Sequence, residues 1–334
     1  MPVSILSTVL AQATAVETLR RALMSGKVHH AYLFDGPDGV GKERAAFGLA
    51  QALLCERRAP SESEACGACS ACRRVIVSAS ETRSTHPDLV VLERGLYAPE
   101  QIGRRTPETS DLSIDQIRTL VLARAAFASH EGRAKVFILR RAEELSVSAA
   151  NALLKTLEEP GRGTHFVLLS AQAGVLLSTI LSRTQRVRFA PLPEDVVARL
   201  LSERGVASEE ATAVAKLSRG SMSLASSFAD PDESEAREAF ARRALIAIAA
   251  PDLGPSLELA EEAKKNKVGL DARILALATR LGDRAIESTR AGLREAETDA
   301  SRYRMALAAI VQLDGNASAQ LVVESMLARM RGAL

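Results

Sequence analysis

Two groups of residues in this 334-residue sequence have the types and spacing to do chemistry. The first is Cys55, Cys66, Cys69 and Cys72, the only cysteines in the chain. Zinc favours four thiolates at the corners of a tetrahedron, and two-residue spacers let neighbouring thiolates turn onto one ion. Cys66-x-x-Cys69-x-x-Cys72 provides two such steps and Cys55 closes the set. Gly67, Ala68, Ser70 and Ala71 are small enough for a tight wrap. Disulfides are the competing use, disfavoured in a reducing cytosol. An iron–sulfur cluster takes the same ligands, and the sequence leaves it open. Four protein ligands leave no open position, so a zinc ion here is expected to be structural.

The second group is Gly36-Pro-Asp-Gly39-Val-Gly41-Lys42, a G-x-x-x-x-G-K phosphate loop. Gly36, Gly39 and Gly41 let backbone N–H groups approach phosphate oxygens, and Lys42 adds positive charge. The next residue is Glu43, where a hydrolysing P-loop protein places a Ser or Thr hydroxyl on Mg²⁺. The second metal position, an acid at the end of the adjacent strand, falls on Arg140-Arg141. Asp exchanged for Arg shifts the local charge by about two units, and a cation does not coordinate Mg²⁺. The expectation is a loop that cradles phosphate without Mg²⁺-dependent hydrolysis. ATP or another nucleotide remains an open ligand, with Arg140 available to neutralise it.

These groups need elements to hold them. Val16, Leu19 and Leu23 predict an opening helix to about Met24, and Ala31–Phe34 a buried strand. The loop then runs into a helix carrying Ala46, Leu49, Ala50 and Leu53. Further apolar runs at Leu89–Leu92, Val136–Leu139 and Phe166–Leu169 alternate with helical stretches at Ile114–Phe127 and Ser148–Leu157. Such alternation predicts a parallel α/β sheet. Arg94–Ser110, rich in Gly, Pro, Arg and Thr, reads as a loop. After Pro191-Leu-Pro193 no convincing strand follows. Residues 194–229 suit three short helices, and a break at Asp230-Pro231-Asp232 precedes a long helical region with Ile274, Leu277, Leu281 and Ala285 on one face. The expected domains are 1–190 with a zinc module at 55–72, a helical piece over 191–230, and a helical piece over 231–334.

Composition fits that layout. Aromatics make up 3% and Trp is absent, so the core is built from Ala, Leu, Val and Ile. A net charge of +2 argues against wrapping DNA by bulk charge, though not against a local basic lining. Val9-Leu10-Ala11-Gln12-Ala13 has a faint likeness to a signal-cleavage site. No Lys or Arg precedes it, and Ser4, Ser7 and Thr8 interrupt the apolar stretch. No run approaches the ~18 apolar residues of a spanning helix. A cytoplasmic location with no membrane partner is expected.

The motifs together resemble bacterial clamp-loader subunits of DNA polymerase III. They are His30-Ala-Tyr-Leu-Phe34 before the loop, the cysteines, His86-Pro-Asp88, Ser113-Ile-Asp-Gln-Ile-Arg118, and above all Ala149-Ala-Asn-Ala-Leu-Leu-Lys-Thr-Leu-Glu-Glu-Pro160. Thr179-Ile-Leu-Ser-Arg-Thr184 is similar to the family's Ser-Arg-Cys motif, with Thr184 replacing the Cys. The likeness covers roughly residues 5–190 by motif. It implies an AAA+ module, a helical lid and an all-α collar that joins a hetero-pentameric ring. The implied partners are γ/τ and δ subunits, the sliding clamp and primer–template DNA.

Motor subunits of that family keep the metal residues missing here, and an Arg in a Gly-Ser-x-Arg motif. This chain has Gly220-Ser221-Met222-Ser223, with Ser at that position. The resemblance therefore favours the δ′ branch, a part of the polymerase holoenzyme without a complete ATPase site. It makes Arg183 the arginine finger acting in trans. Two alternatives stand beside this reading. One is an ATPase motor of the same ring, with Glu43 and Glu143 serving Mg²⁺; the other is a zinc-dependent DNA-binding module.

Other residues have plainer readings. Ala150, Leu153, Leu154 and Leu157 form an apolar helix face, while Lys155, Glu158 and Glu159 read as solvated charges. His30, His86 and His165 have no ligand-like spacing, and Lys264-Lys265-Asn-Lys267 reads as a helix surface.

Overall fold

The computed structural model describes residues 3–75, 84–104, 111–131, 133–266, 269–293, 295–314 and 317–332. The end of the expected loop, at 105–110, and Lys267 lie outside them. Two compact units divide after Pro193, at Met1–Pro193 and Glu194–Leu334.

The first unit opens with α1 (Ala13–Met24), whose Val16, Leu19 and Leu23 are buried as their spacing requires. Then come β1 (Ala31–Asp35), α2 (Lys42–Leu54), α3 (Ser70–Val75) and β2 (Leu89–Leu92). The expected helix over 114–127 is less regular than its pattern suggests. It starts as α4 (Ile114–Gln116) behind an N-cap bond from Gln116 N–H to Ser113 Oγ. It widens into a π-type stretch over Ile117–Leu122 and ends as α5 (Ala123–Ala125). Then follow β3 (Lys135–Leu139), α6 (Val147–Glu158), β4 (Thr164–Ser170), α7 (Ser178–Leu181) and β5 (Gln185–Arg188).

All five strands are parallel, in the order β2-β3-β4-β1-β5. The three inner strands are almost wholly buried, and Phe137 stacks on Phe166 at 5.1 Å between centroids. β5 was not expected from the sequence. Only Val187 of its four residues is buried, so an edge strand of Gln and Arg lacks the apolar run that marks its neighbours.

Lys135 shows why the irregular helix can end where it does. This buried lysine at the start of β3 donates from Nζ to the carbonyls of Arg124 (2.6 Å), Phe127 (3.0 Å) and Ala128 (3.1 Å). A cation is favoured at a helix C-terminus, where unpaired carbonyls gather. Lys135→Met is expected to lower the stability of this unit by about 2–3 kcal/mol, read from the urea midpoint.

The second unit begins with three short helices, α8 (Glu194–Glu203), α9 (Ser208–Leu217) and α10 (Met222–Ala229). The expected break at residues 230–232 narrows to the extended residue Asp230, because α11 (Pro231–Ala249) starts on its proline. Proline suits a first helical position, where its missing N–H is not needed. Then α12 (Gly254–Lys265), α13 (Leu270–Arg290), α14 (Glu295–Asp314) and α15 (Ala319–Arg331) pack around Ile274, Leu277, Leu281, Val323 and Leu327. Buried Asp299 ties three of them. It pairs with Arg284 at 3.1 Å and with Arg302 at 3.5 Å, and Arg302 Nε donates to Met330 O. No described helix is long and apolar enough to cross a membrane.

Candidate nucleotide and thiolate sites

The phosphate loop lies where a parallel sheet places ligands, beyond the carboxyl ends of the strands. Gly36 leaves β1 directly against Phe189, and an added Cβ would sit 2.2 Å from the Phe189 carbonyl oxygen. Gly39 and Gly41 have φ of 76° and 99°, and Gly41 is the N-cap of α2. Lys42 is buried and turned back on its own loop. Its Nζ donates to the Gly36 carbonyl, to Pro37 O at 2.9 Å and to Asp38 Oδ1 at 3.3 Å.

The two positions where Mg²⁺ ligands were missing are brought together. Arg140 donates through Nη2 to the Glu43 carboxylate and through Nη1 to Glu93 Oε2 at 2.8 Å. Glu93 follows β2 and Arg140 follows β3, so a carboxylate–guanidinium–carboxylate chain spans the strand ends. Burial opposes the charge of Arg140, but Glu43 and Glu93 outweigh it and hold the guanidinium above its usual range. Arg141, in the left-handed region at φ 48°, pairs with Glu144 at 3.0 Å and approaches Asp38 at 3.8 Å. Glu143 points elsewhere, accepting the Ala171 N–H at 3.3 Å.

The four thiols converge in the loop between α2 and α3. All four Sγ atoms lie within 4.8 Å of one another, with Cys66–Cys72 and Cys55–Cys69 both at 3.9 Å. A tetrahedron of ~2.3 Å zinc–sulfur bonds has edges of about 3.8 Å. Backbone N–H groups already face the sulfurs: Cys66 N–H to Cys55 Sγ (3.4 Å), Cys69 N–H to Cys66 Sγ (3.3 Å) and Cys72 N–H to Cys69 Sγ (3.4 Å). Such donors stabilise thiolates. Burial opposes charge on Cys66, yet N–H groups of Ala68 and Cys69 with the Cys55 and Cys69 thiols bring it down to about 6. Burial and the adjacent Cys69 and Cys55 sulfurs push Cys72 upward. Such a quartet fits one thiophilic metal ion.

The cysteine segment is anchored to the sheet. Arg74 makes a two-pronged pair with Glu131, at 2.6 and 2.8 Å. Buried Asp88 accepts the N–H groups of His130 and Glu131, at 2.7 and 2.9 Å. Buried His86 accepts the Asp88 N–H at Nδ1 and places Nε2 3.2 Å from Glu131. His86-Pro-Asp88 is thus a structural clasp. His165 is structural too, holding His29 O at 3.2 Å.

Arg183 lies at the opposite, amino end of the strands. It follows α7 and precedes β5, whose first residue, Gln185, pairs with Tyr32 near the start of β1. A cleft of about 620 Å³ opens there beside His29, His30, Glu158, Ser182 and Arg183. Burial and neighbouring His29 hold His30 below its usual value, keeping it neutral near pH 7. Arg183 donates to Thr179 O (2.9 Å), Ser182 Oγ (3.2 Å) and the Glu158 carboxylate. Glu158, read from sequence as a solvated charge, is partly exposed but engaged. In the second unit Ser221 caps α10 by accepting the Leu224 N–H, and Ser223 is exposed.

Comparison with known proteins agrees with these motifs. The family described as DNA polymerase III, delta subunit matches residues 11–193. The DNA polymerase III subunit delta′ of Pseudomonas aeruginosa is 39% identical over 188 residues, covering 56% of this chain and 51% of that protein. The delta′ subunit of Bacillus subtilis is 30% identical over 208 residues, covering 62% and 56%. The tau subunit of Bacillus subtilis is 33% identical over 189 residues, covering 57% of this chain and 30% of that protein. The chain therefore spans little more than half the length of these delta′ relatives. The family match itself extends over more than half of the chain, and the chain belongs to the DNA polymerase III delta subunit family.

Proposed function

We propose that this chain is a δ′-type, non-hydrolysing subunit of the DNA polymerase III clamp loader, with Arg183 serving the ATP site of a neighbouring subunit. The observation that carries this reading is the Glu43–Arg140–Glu93 chain, which joins the two Mg²⁺ positions to each other. A guanidinium paired with two carboxylates is held in place and offers no metal ligand. The motor alternative needs Glu43 and Glu143 on Mg²⁺, but Glu43 is paired with Arg140 and Glu143 Oε1 accepts the Ala171 N–H.

Strand geometry supports the trans role proposed for Arg183. Its cleft lies at the start of β1, and the phosphate loop lies at the end of that five-residue strand. Five parallel-strand residues span ~16 Å, beyond the reach of one arginine side chain. Arg183 is therefore out of reach of its own phosphate loop, and a phosphate it served would come from another subunit. A planar, permanently charged fork suits phosphate oxygens there.

In this proposal Cys55, Cys66, Cys69 and Cys72 hold a structural Zn²⁺. Gly36, Gly39, Gly41 and Lys42 bind phosphate, if at all, without metal. The helices over 194–229 form the lid and those over 231–334 the collar. Support for that division is a core cluster within 231–334 whose described members include none from 194–229. The partners are γ/τ and δ subunits, the sliding clamp and primed DNA. The test is the purified chain with Mg²⁺ and ATP. No turnover is expected, while adding it to motor subunits raises DNA-stimulated turnover and clamp loading. Hydrolysis by the chain alone would end the proposal.

A further inference from the structure

We propose that Glu158 is a latch on Arg183, holding the guanidinium inside this chain until a phosphate from a neighbouring subunit displaces the carboxylate. The inference rests on the trans role given to Arg183 above and adds a residue that controls it. Every donor of the arginine is turned inward. Nη1 serves Thr179 O and Ser182 Oγ, Nη2 serves Glu158, and Nε is enclosed without a hydrogen-bond partner among the described residues. Thr179 and Ser182 come from the same short stretch of chain as Arg183 and hold one prong of its fork, Nη1. Glu158 comes from a separate element, the last residue of α6. Releasing that one contact frees the outer prong of the fork.

Three features suit a latch better than a permanent brace. The pair is part-exposed, at 31% for Arg183 and 48% for Glu158, so water and salt weaken it. The carboxylate sits at a helix C-terminus, where the helix dipole disfavours negative charge. The cleft beside the pair has room for an entering group. A phosphate arriving at Arg183 would meet Glu158 as a like charge, so engagement and unlatching are one exchange of anions on one cation.

The experiment uses the chain reconstituted with its motor subunits, following ATP turnover at the neighbouring site. Glu158→Gln keeps the shape and removes the charge. It is expected to raise kcat/KM for ATP by roughly twofold to fivefold, the range of one screened ion pair. The gain should shrink as salt rises, and should vanish in the Arg183→Ala background. A fall or no change in kcat/KM with Glu158→Gln, while Arg183→Ala still collapses turnover, overturns the latch alone. No effect of Arg183→Ala overturns the trans reading on which it stands.

Discussion

Arg183→Ala in the reconstituted loader is expected to slow ATP hydrolysis at the neighbouring site by roughly 10³-fold or more, the range found for arginine fingers. Arg183→Lys should recover little of this. A lysine keeps the charge but loses the planar fork, in which Nη2 can meet a phosphate while Nη1 stays on Thr179 O and Ser182 Oγ. The measurement is single-turnover hydrolysis resolved to that site, because other motor sites in the ring would mask the loss in a bulk rate. The isolated chain should be as stable as wild type to thermal unfolding, since the pair that is lost is solvent-screened. Turnover unaltered by alanine would remove Arg183 from the chemistry.

The second large effect concerns the thiolate quartet. One Zn²⁺ per chain is expected from metal analysis. Its removal by a strong chelator should unfold the segment from Cys55 to Cys72 and lower the melting temperature of the first unit. Structural zinc contributes on the order of 10 kcal/mol to small folded modules. Cys69→Ser should do the same without chelator, since Cys69 is buried, contacts Cys55 Sγ and receives the Cys72 N–H. Clasped to Glu131 through Arg74, the module should transmit its loss to the start of β2, where Asp88 holds the same loop. Visible charge-transfer absorbance in the purified chain would instead identify an iron–sulfur cluster.

Much of this architecture was legible in the residues because it is local. The glycine loop, the cysteine spacing and the four apolar strands each declare themselves within fewer than twenty residues. Their outcome follows from sterics and burial alone. What stayed hidden depends on partners far apart in the chain. Glu43 and Arg140 read as two independent defects, but they are 97 residues apart and form one ion pair. Glu158 read as a solvated charge because its partner lies 25 residues on, across β4. Lys135, just ahead of the expected strand Val136–Leu139, drew no reading from the sequence, and caps a helix that ended several residues earlier. β5 was missed because an edge strand with one buried residue carries no hydrophobic period. In each case the sequence shows the group, and only the fold shows what it touches.

Placing a phosphate loop at one rim of the sheet and a guanidinium at the other gives this polypeptide a direction. Under the proposed reading, subunits built this way would associate head to tail, each using one face toward the next and the opposite face toward the last. A member whose own loop is closed by an internal ion pair can complete the active centre of one companion but asks for no completion in return. In the proposed reading it would act as punctuation, marking where a row of cooperating motors stops.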